Sequence, residues 1–360
     1  MLLVPKLPAL SEQEPENLTT WLADLGEPPY RVAQLQTALE RRAIQDLEEL
    51  SEFPVALRAR MRDRFRVRSL DVRTHLTSTR DRAEKVLFGL ADGSSVETVL
   101  IPARGSTGRR RLTVCVSSQV GCPAGCTFCA TGLSGFGRNL SRAEIVDQVM
   151  YCEHVARTRG ERITNVVFMG MGEPLLNVRA VRAAIARITR RTGFGLGERS
   201  ITVSTVGIVP QLRTFSGWAG QVNLAISLHA PTDELRSQLV PYNRHFPIAD
   251  LLTAVREYVA ATNRRVSFEY VLLAGVNDSP ALARQLARLL RPLGGHAHVN
   301  LIPWNPFREG RFVRTGGPDA ETFAAAVRGG GINATVRYSK GLDISAACGQ
   351  LREQFGTGAI

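Results

Sequence analysis

From Leu112 onward, short apolar runs alternate with longer segments in which apolar residues recur every three or four positions. The runs cover 112–117, 163–169, 201–205, 222–228, 266–273 and 299–302, lengths that suit strands. The helical segments fall at 142–157, 178–191, 210–215, 248–261 and 280–290, with another near 319–327. Strand-helix alternation predicts an α/β fold with a parallel sheet covered by helices. Right-handed crossovers let six such units curl into an open, partial (β/α)6 barrel. Chemistry in such folds gathers where strands end.

Upstream the pattern changes. Residues 16–68 read as short helices broken at Gly26-Glu27-Pro28-Pro29 and at Phe53-Pro54, which predicts a small helical domain over 1–68. Its last stretch carries Arg58, Arg60, Arg62, Arg64, Arg66 and Arg68 at alternate positions. Two β-prone runs, 86–90 and 96–101, flank Ala91-Asp92-Gly93-Ser94 and predict a hairpin. A Gly- and Arg-rich segment, 102–111, reads as a mobile loop. The expected division is therefore a helical domain at 1–68, a hairpin with a basic loop at 69–111, a barrel at 112–351 and a tail at 352–360.

With 360 residues, 44% of them hydrophobic, the chain can bury a full-sized core. Lys and Arg number 45 against 33 Asp and Glu, a formal charge of +12. That excess favours a polyanion such as nucleic acid, or a surface that is basic everywhere; charge alone leaves both open. Residues 1–10 lack the apolar core and cleavage site of a signal peptide, and no run nears the roughly 18 residues that span a bilayer. A cytoplasmic protein without membrane contact is expected, and its six cysteines then point to metal or catalysis before disulfides.

Cys122, Cys126 and Cys129 form C-x3-C-x2-C in the loop after the first barrel strand. Three thiolates so spaced hold three irons of one 4Fe-4S cluster and leave the fourth open to a ligand. Structural zinc, the competing reading, takes four protein ligands, and Cys152 and His154 are remote. The next strand ends in Gly170-Met171-Gly172-Glu173-Pro174, where glycines admit close backbone approach and a carboxylate can receive an ammonium. Alone this is an ordinary βα turn. After the cysteine loop it resembles the radical S-adenosylmethionine superfamily, whose Gly-Glu element (Gly172 and Glu173 here) meets the amino group of S-adenosylmethionine.

A closer resemblance runs from about Asn17 to Leu351. Ser117-Ser118-Gln119-Val120-Gly121-Cys122, Asn165-Val166-Val167, Ser227-Leu228-His229-Ala230, Ile302-Pro303-Trp304-Asn305-Pro306-Phe307 and Ala346-Ala347-Cys348-Gly349-Gln350-Leu351 are similar to the RlmN/Cfr family of RNA adenine methyltransferases. The resemblance implies one cluster and two S-adenosylmethionine molecules per turnover. It implies that Cys348 carries the methyl group, that Cys115 resolves the enzyme–RNA adduct through a transient disulfide, and that Glu97 accepts a proton. Further S-adenosylmethionine contacts are implied at Ser204, Ser227, Leu228, His229 and Asn305. Residue chemistry by itself makes Glu97 a solvent-facing hairpin residue, and Cys115 and Cys348 small hydrophobes. Cys152 reads as core packing.

The implied substrates are an adenine of 23S rRNA and the adenine beside the tRNA anticodon, methylated at carbon 2; carbon 8, the resistance branch, is the alternative. An electron donor such as flavodoxin and a monomeric state are also implied. RNA contact is expected at the Arg104–Arg111 segment and at the arginines before Ser69, since a target base must be presented unstacked to a basic mouth. Rival readings are a noncatalytic RNA-binding protein on this fold and an activase that places a glycyl radical on a protein partner.

Overall fold

A computed structural model describes residues 7–104, 108 and 110–351. Near the N-terminus, α1 (Pro15–Asp24), α2 (Tyr30–Thr37) and α3 (Val55–Arg64) enclose their own core, with Leu22, Leu35, Leu50, Phe53 and Met61 buried. Most of the alternating arginines are engaged within this unit. Arg68 is buried and donates to the carbonyls of Leu39 and Ile44, Arg58 donates to that of Leu50, and Arg62 pairs with Glu48. Arg66 donates to the Leu7 carbonyl, and Arg64 lies against the Trp21 and Phe65 rings.

Four strands follow: β1 (Asp71–Thr77), β2 (Glu84–Gly89), β3 (Ser95–Arg104) and β4 (Arg110–Cys115), each antiparallel to the next. The expected hairpin is β2–β3, extended by β1, whose polar and mostly exposed sequence carries no apolar alternation. The segment 102–111 is not simply a loop. Pro102, Ala103 and Arg104 pair with Leu112, Arg111 and Arg110, so both flanks are strand. Residues 105–107 and 109, and the expected tail at 352–360, lie outside the described residues.

Beyond β4 come the small hairpin β5 (Gln119–Gly121) and β6 (Phe136–Asn139), with α4 (Ala130–Leu133) between them. The repeat then runs α5 (Arg142–Arg157), β7 (Asn165–Phe168), α6 (Val178–Thr189), β8 (Ile201–Thr205), α7 (Val209–Phe215) and β9 (Asn223–Ser227). It continues with α8 (Asp233–Leu239), α9 (Ile248–Thr262), β10 (Val266–Leu272), α10 (Pro280–Leu290), β11 (Ala297–Pro303), α11 (Gly317–Gly329) and β12 (Asn333–Val336). One ten-stranded sheet has the order β1-β2-β3-β4-β7-β8-β9-β10-β11-β12, parallel from β4 onward. Side chains from β3 to β11 line one central cavity, so the sheet wraps as an open barrel. All six expected units are present, and β12 adds a seventh parallel strand, only four residues long.

The two cores meet on Asp147 of α5. Its Oδ2 accepts from Ser11 Oγ (2.6 Å), Ser69 N (2.7 Å) and Ser69 Oγ (2.7 Å), and its Oδ1 from Arg68 Nη1 (3.3 Å). A second joint sets Glu40 against Arg187 and Arg190. Among the described residues no helix is long and apolar enough to cross a membrane.

Candidate active site

Hydrogen bonds fasten the exit of β4 to the exit of β7. Ser117 Oγ donates to the Glu97 carbonyl (2.6 Å) and accepts from Met171 N (2.9 Å), while Gln119 Oε1 accepts from Glu173 N (2.8 Å). Gln148 clamps the same turn: its Oε1 accepts from Ser117 N and its Nε2 donates to the Ser117 carbonyl. This closeness demands glycine. A Cβ on Gly170 would stand 2.7 Å from the Val116 carbonyl oxygen, and one on Gly172, at φ +100°, 2.6 Å from Gln119 Cβ.

The three-cysteine loop follows that turn and is tied to the C-terminal segment that carries Cys348. Ala130 N donates to the Gly349 carbonyl (2.8 Å), Thr131 Oγ1 to that of Leu351 (2.6 Å), and Trp304 Nε1 to that of Phe128 (2.8 Å). Burial pushes the Cys122 thiol up to about 12 and raises Cys126 and Cys129 as well. Such thiols stay protonated near neutrality until a cation takes them as thiolates. Among the described residues no three His, Cys, Asp or Glu groups converge on a single ion. In a 4Fe-4S cubane each thiolate would hold a different iron, whereas structural zinc takes four protein ligands on one ion.

All three cysteines line a cavity of about 1030 Å³, counted out to bulk solvent, together with Gly172, Glu173, Ser204, Ser227, His229, Glu269 and Cys348. Glu173 is buried, and burial raises its carboxyl to about 7 against hydrogen bonds from Val206 N (2.8 Å) and Leu175 N (2.9 Å). A buried acceptor so held is matched by an ammonium group. Ser204 Oγ and Ser227 Oγ lie 3.3 Å apart on adjacent strand ends. His229, at φ +61°, accepts from Val271 N at Nδ1 (3.0 Å), which puts its proton on Nε2. Burial, then the Arg236 charge, lowers it to about 3, so the ring is neutral.

Two of the expected contacts, Leu228 and Asn305, are not among the residues that line this cavity. Leu228 does not line the cavity; its N–H is given to the Glu269 carbonyl and its own carbonyl accepts from Arg236 Nε. Asn305 is also outside the lining. It donates through Nδ2 to Ser339 Oγ (2.8 Å) and to the Cys348 carbonyl (2.9 Å), so it positions the Cys348 segment.

A second cavity, about 1560 Å³ out to bulk solvent, runs down the barrel. Cys115, Met169, Glu269, Ile302 and Cys348 stand at its inner end. Arg111, Asn165, Arg199, Asn223, Arg265 and His298, all at or near strand beginnings, stand at the other. Arg111 also borders a surface groove with Arg82, Arg104, Arg110, Arg159, Arg162 and Lys340. Part of the basic segment expected to meet RNA therefore joins the barrel mouth.

Cys348 is where the two cavities meet. Its side chain is exposed to that internal space. Burial in the fold, with added repulsion from Cys115, Cys129 and Glu269, raises its thiol. Burial pushes Cys115 up to about 12, and both are free thiols here. Glu97 is buried rather than solvent-facing: Lys85 Nζ lies 3.0 Å from its Oε1 and also donates to the Ser345 carbonyl (3.2 Å). Cys152 is fully buried in α5.

Sequence reading missed Arg236, Glu269, Lys85 and Gln148. Arg236 passes for surface charge in a short polar helix. Glu269, an acid inside the apolar run Val266–Leu272, was the signal available.

Residues 116–286 match the radical SAM superfamily. A protein of Gloeobacter violaceus described as a probable dual-specificity RNA methyltransferase RlmN is 47% identical over 95% of this chain and 94% of its own. One of Symbiobacterium thermophilum with the same description is 45% identical over 97% and 91%. The crystal structure of a radical SAM methyltransferase from Sphaerobacter thermophilus superposes with a TM-score of 0.89 at 45% identity, over 96% of this chain and 99% of that one. The superfamily implies a 4Fe-4S cluster and S-adenosylmethionine, and the thiol set and the cavity around Glu173 fit both. With such identity over nearly the whole of both chains, the protein belongs to the RlmN family of radical S-adenosylmethionine methyltransferases.

Proposed function

We propose that the enzyme methylates carbon 2 of an adenine in RNA, with 23S rRNA and the tRNA position beside the anticodon as substrates. The observation that carries this reading is the place of Cys348, open to the cysteine-lined cavity on one side and, beside Cys115, to an arginine-mouthed bore on the other. The basic mouth suits RNA phosphates. The relatives described as dual-specificity RNA methyltransferases favour this over the carbon-8 alternative.

Carbon 2 of adenine is not nucleophilic, so direct methyl displacement onto it fails. Cys122, Cys126 and Cys129 would hold the cluster, which when bound would supply the electron for cleaving S-adenosylmethionine to a hydrogen-abstracting radical. Glu173 receives the amino group of S-adenosylmethionine, and Ser204, Ser227 and His229 offer polar contacts at the strand ends. Cys348 Sγ first takes a methyl group by displacement from one S-adenosylmethionine. After losing a hydrogen atom, that methyl carbon bonds the adenine carbon. The adduct's unpaired electron would pass back to the bound cluster as Glu97 takes the ring proton; the Cys115 thiolate then attacks Cys348 Sγ, the sulfur–carbon bond breaks and the freed methylene carbon takes up a proton, giving methylated RNA and a disulfide that a reductant must open.

The test is nucleoside mass spectrometry of 23S rRNA and tRNA after anaerobic incubation with reconstituted enzyme, reductant and S-adenosylmethionine. The expected product is 2-methyladenosine, absent with Cys348→Ala. Formation of 8-methyladenosine moves the enzyme to the other branch, and 5′-deoxyadenosine without any methylated nucleoside removes the RNA claim.

A further inference from the structure

Among the described residues, Glu269 is the one carboxylate that lines both cavities, and the mechanism above leaves it without a task. It stands within β10, opposite Ser227 of β9 and Asn300 of β11. Asn300 Nδ2 donates to Glu269 Oε1 (2.8 Å), and Arg337 Nε donates to Asn300 Oδ1 (2.5 Å). The Arg337 contact fixes which way the Asn300 amide points, so its NH2 faces the carboxyl group. Burial works against the ionised form of Glu269, while Asn300 and Arg337 oppose that effect. A carboxyl group placed in a cavity at this cost is held for a partner that enters the cavity.

The partner is constrained by position. Cys348 and Glu269 both line the stretch where the two cavities meet, so a group bound to Glu269 from the bore enters the space into which the methyl-carrying sulfur opens. The bore opens at the other end on Arg111, Arg199 and Arg265, which suit the phosphates flanking an unstacked nucleotide. Adenine presents an exocyclic amine, which donates to a carboxyl oxygen. Guanine presents a carbonyl at that position, which sets acceptor against acceptor.

We propose that Glu269, oriented by Asn300, reads the acceptor base by accepting a hydrogen bond from the exocyclic amine of adenine as its ring carbon faces Cys348. This rests on the RNA adenine reading above. It makes Glu269 the residue that selects adenine over guanine and uracil, which present a carbonyl at the corresponding position, with Asn300 as its positioning residue.

The test uses full-length holoenzyme and two RNA hairpins of one sequence, carrying either adenosine or purine riboside, which lacks the amine, at the target. Wild-type kcat/KM for adenosine exceeds that for purine riboside by about 100-fold, as expected when a built acceptor loses its donor. In Glu269→Ala the ratio falls to within a few-fold, whatever the overall rate, and Glu269→Gln restores part of it. If Glu269→Ala has no measurable turnover, wild type and variant are compared instead by the ratio of their affinities for the two hairpins, read by fluorescence anisotropy. A wild-type ratio near one, or a ratio unchanged in Glu269→Ala while S-adenosylmethionine binding weakens, overturns the proposal and assigns Glu269 to the cofactor side. Failure of the wild type to methylate the adenosine hairpin falls instead on the RNA adenine reading itself.

Discussion

Replacing Arg236 by Met keeps the length of a buried side chain and removes its fork of donors. Arg236 donates to four acceptors: Val206 O (2.6 Å), Leu228 O (3.1 Å), Ser227 O (3.1 Å) and Asn243 Oδ1 (2.6 Å). Three of these are backbone carbonyls at the exits of β8 and β9, so one side chain holds the floor of the cofactor cavity together. Burial, partly offset by Cys126 and Asp233, lowers its pKa to about 10, so it remains charged at neutral pH. Each buried acceptor left without a donor costs about 1 to 3 kcal/mol. Four at the low end sum to about 4 kcal/mol, within the range of about 3–5 kcal/mol for breaking a buried charged network. That is a large share of the roughly 5–15 kcal/mol that holds a typical fold. Urea unfolding of the metal-free protein, followed by circular dichroism, reads the loss as a lower midpoint. Arg236→Lys recovers only a minor part, because a single ammonium cannot span acceptors on three loops. A loss below about 1 kcal/mol for Arg236→Met would falsify the assignment of Arg236 as the tie between these strand exits.

Glu84 gives an acid-dependent test. Burial alone would raise its carboxyl, but hydrogen bonds from His75 and Arg159 and the Arg159 charge bring it down to about 2, from 4.5 when unfolded. A depressed carboxylate stabilises the fold above its unfolded pKa and loses that contribution as pH falls toward 2. Glu84→Gln therefore lowers the urea midpoint at pH 7 and flattens its decline between pH 5 and 3; parallel declines would sink the idea. Asn305→Leu removes the donors to Ser339 Oγ and the Cys348 carbonyl. The expected result is a roughly 10-fold or greater drop in S-methylation of Cys348, read by intact mass, since the two lost donations to the segment and the lost acceptor for Arg314 together amount to about 2–3 kcal/mol. An unchanged methylation rate would show that Asn305 does not position the segment.

The barrel was legible because its strands are apolar on both faces and its helices amphipathic: α5 and α10 fall at 142–157 and 280–290, as their periodicity predicts. Elements without a buried stripe were not. β1 is polar and exposed, β12 has four residues, and α8 is seven residues between two prolines. In the site, spacing located the cysteine loop and Glu173, because those residues lie close together in the chain. Burial of Glu97 was illegible, since it depends on Lys85 from a neighbouring strand and on the Cys348 segment that Lys85 also touches. The hydrogen bonds of Leu228 and Asn305 were illegible for a similar reason. Their polar atoms meet Arg236, Glu269 and Cys348, partners that local sequence does not name.

Asp147 and Gln148 are consecutive in α5, yet the first serves the helical unit and the second the turn that leads into the cysteine loop. The two cores are thus distinct but not severable. A barrel fragment begun after Ser69 would carry Asp147 stripped of Arg68, Ser69 and Ser11, one residue away from the clamp on Ser117. An experimenter seeking a minimal catalytic fragment does better to keep the helical unit whole, or else to neutralise Asp147 when cutting it away.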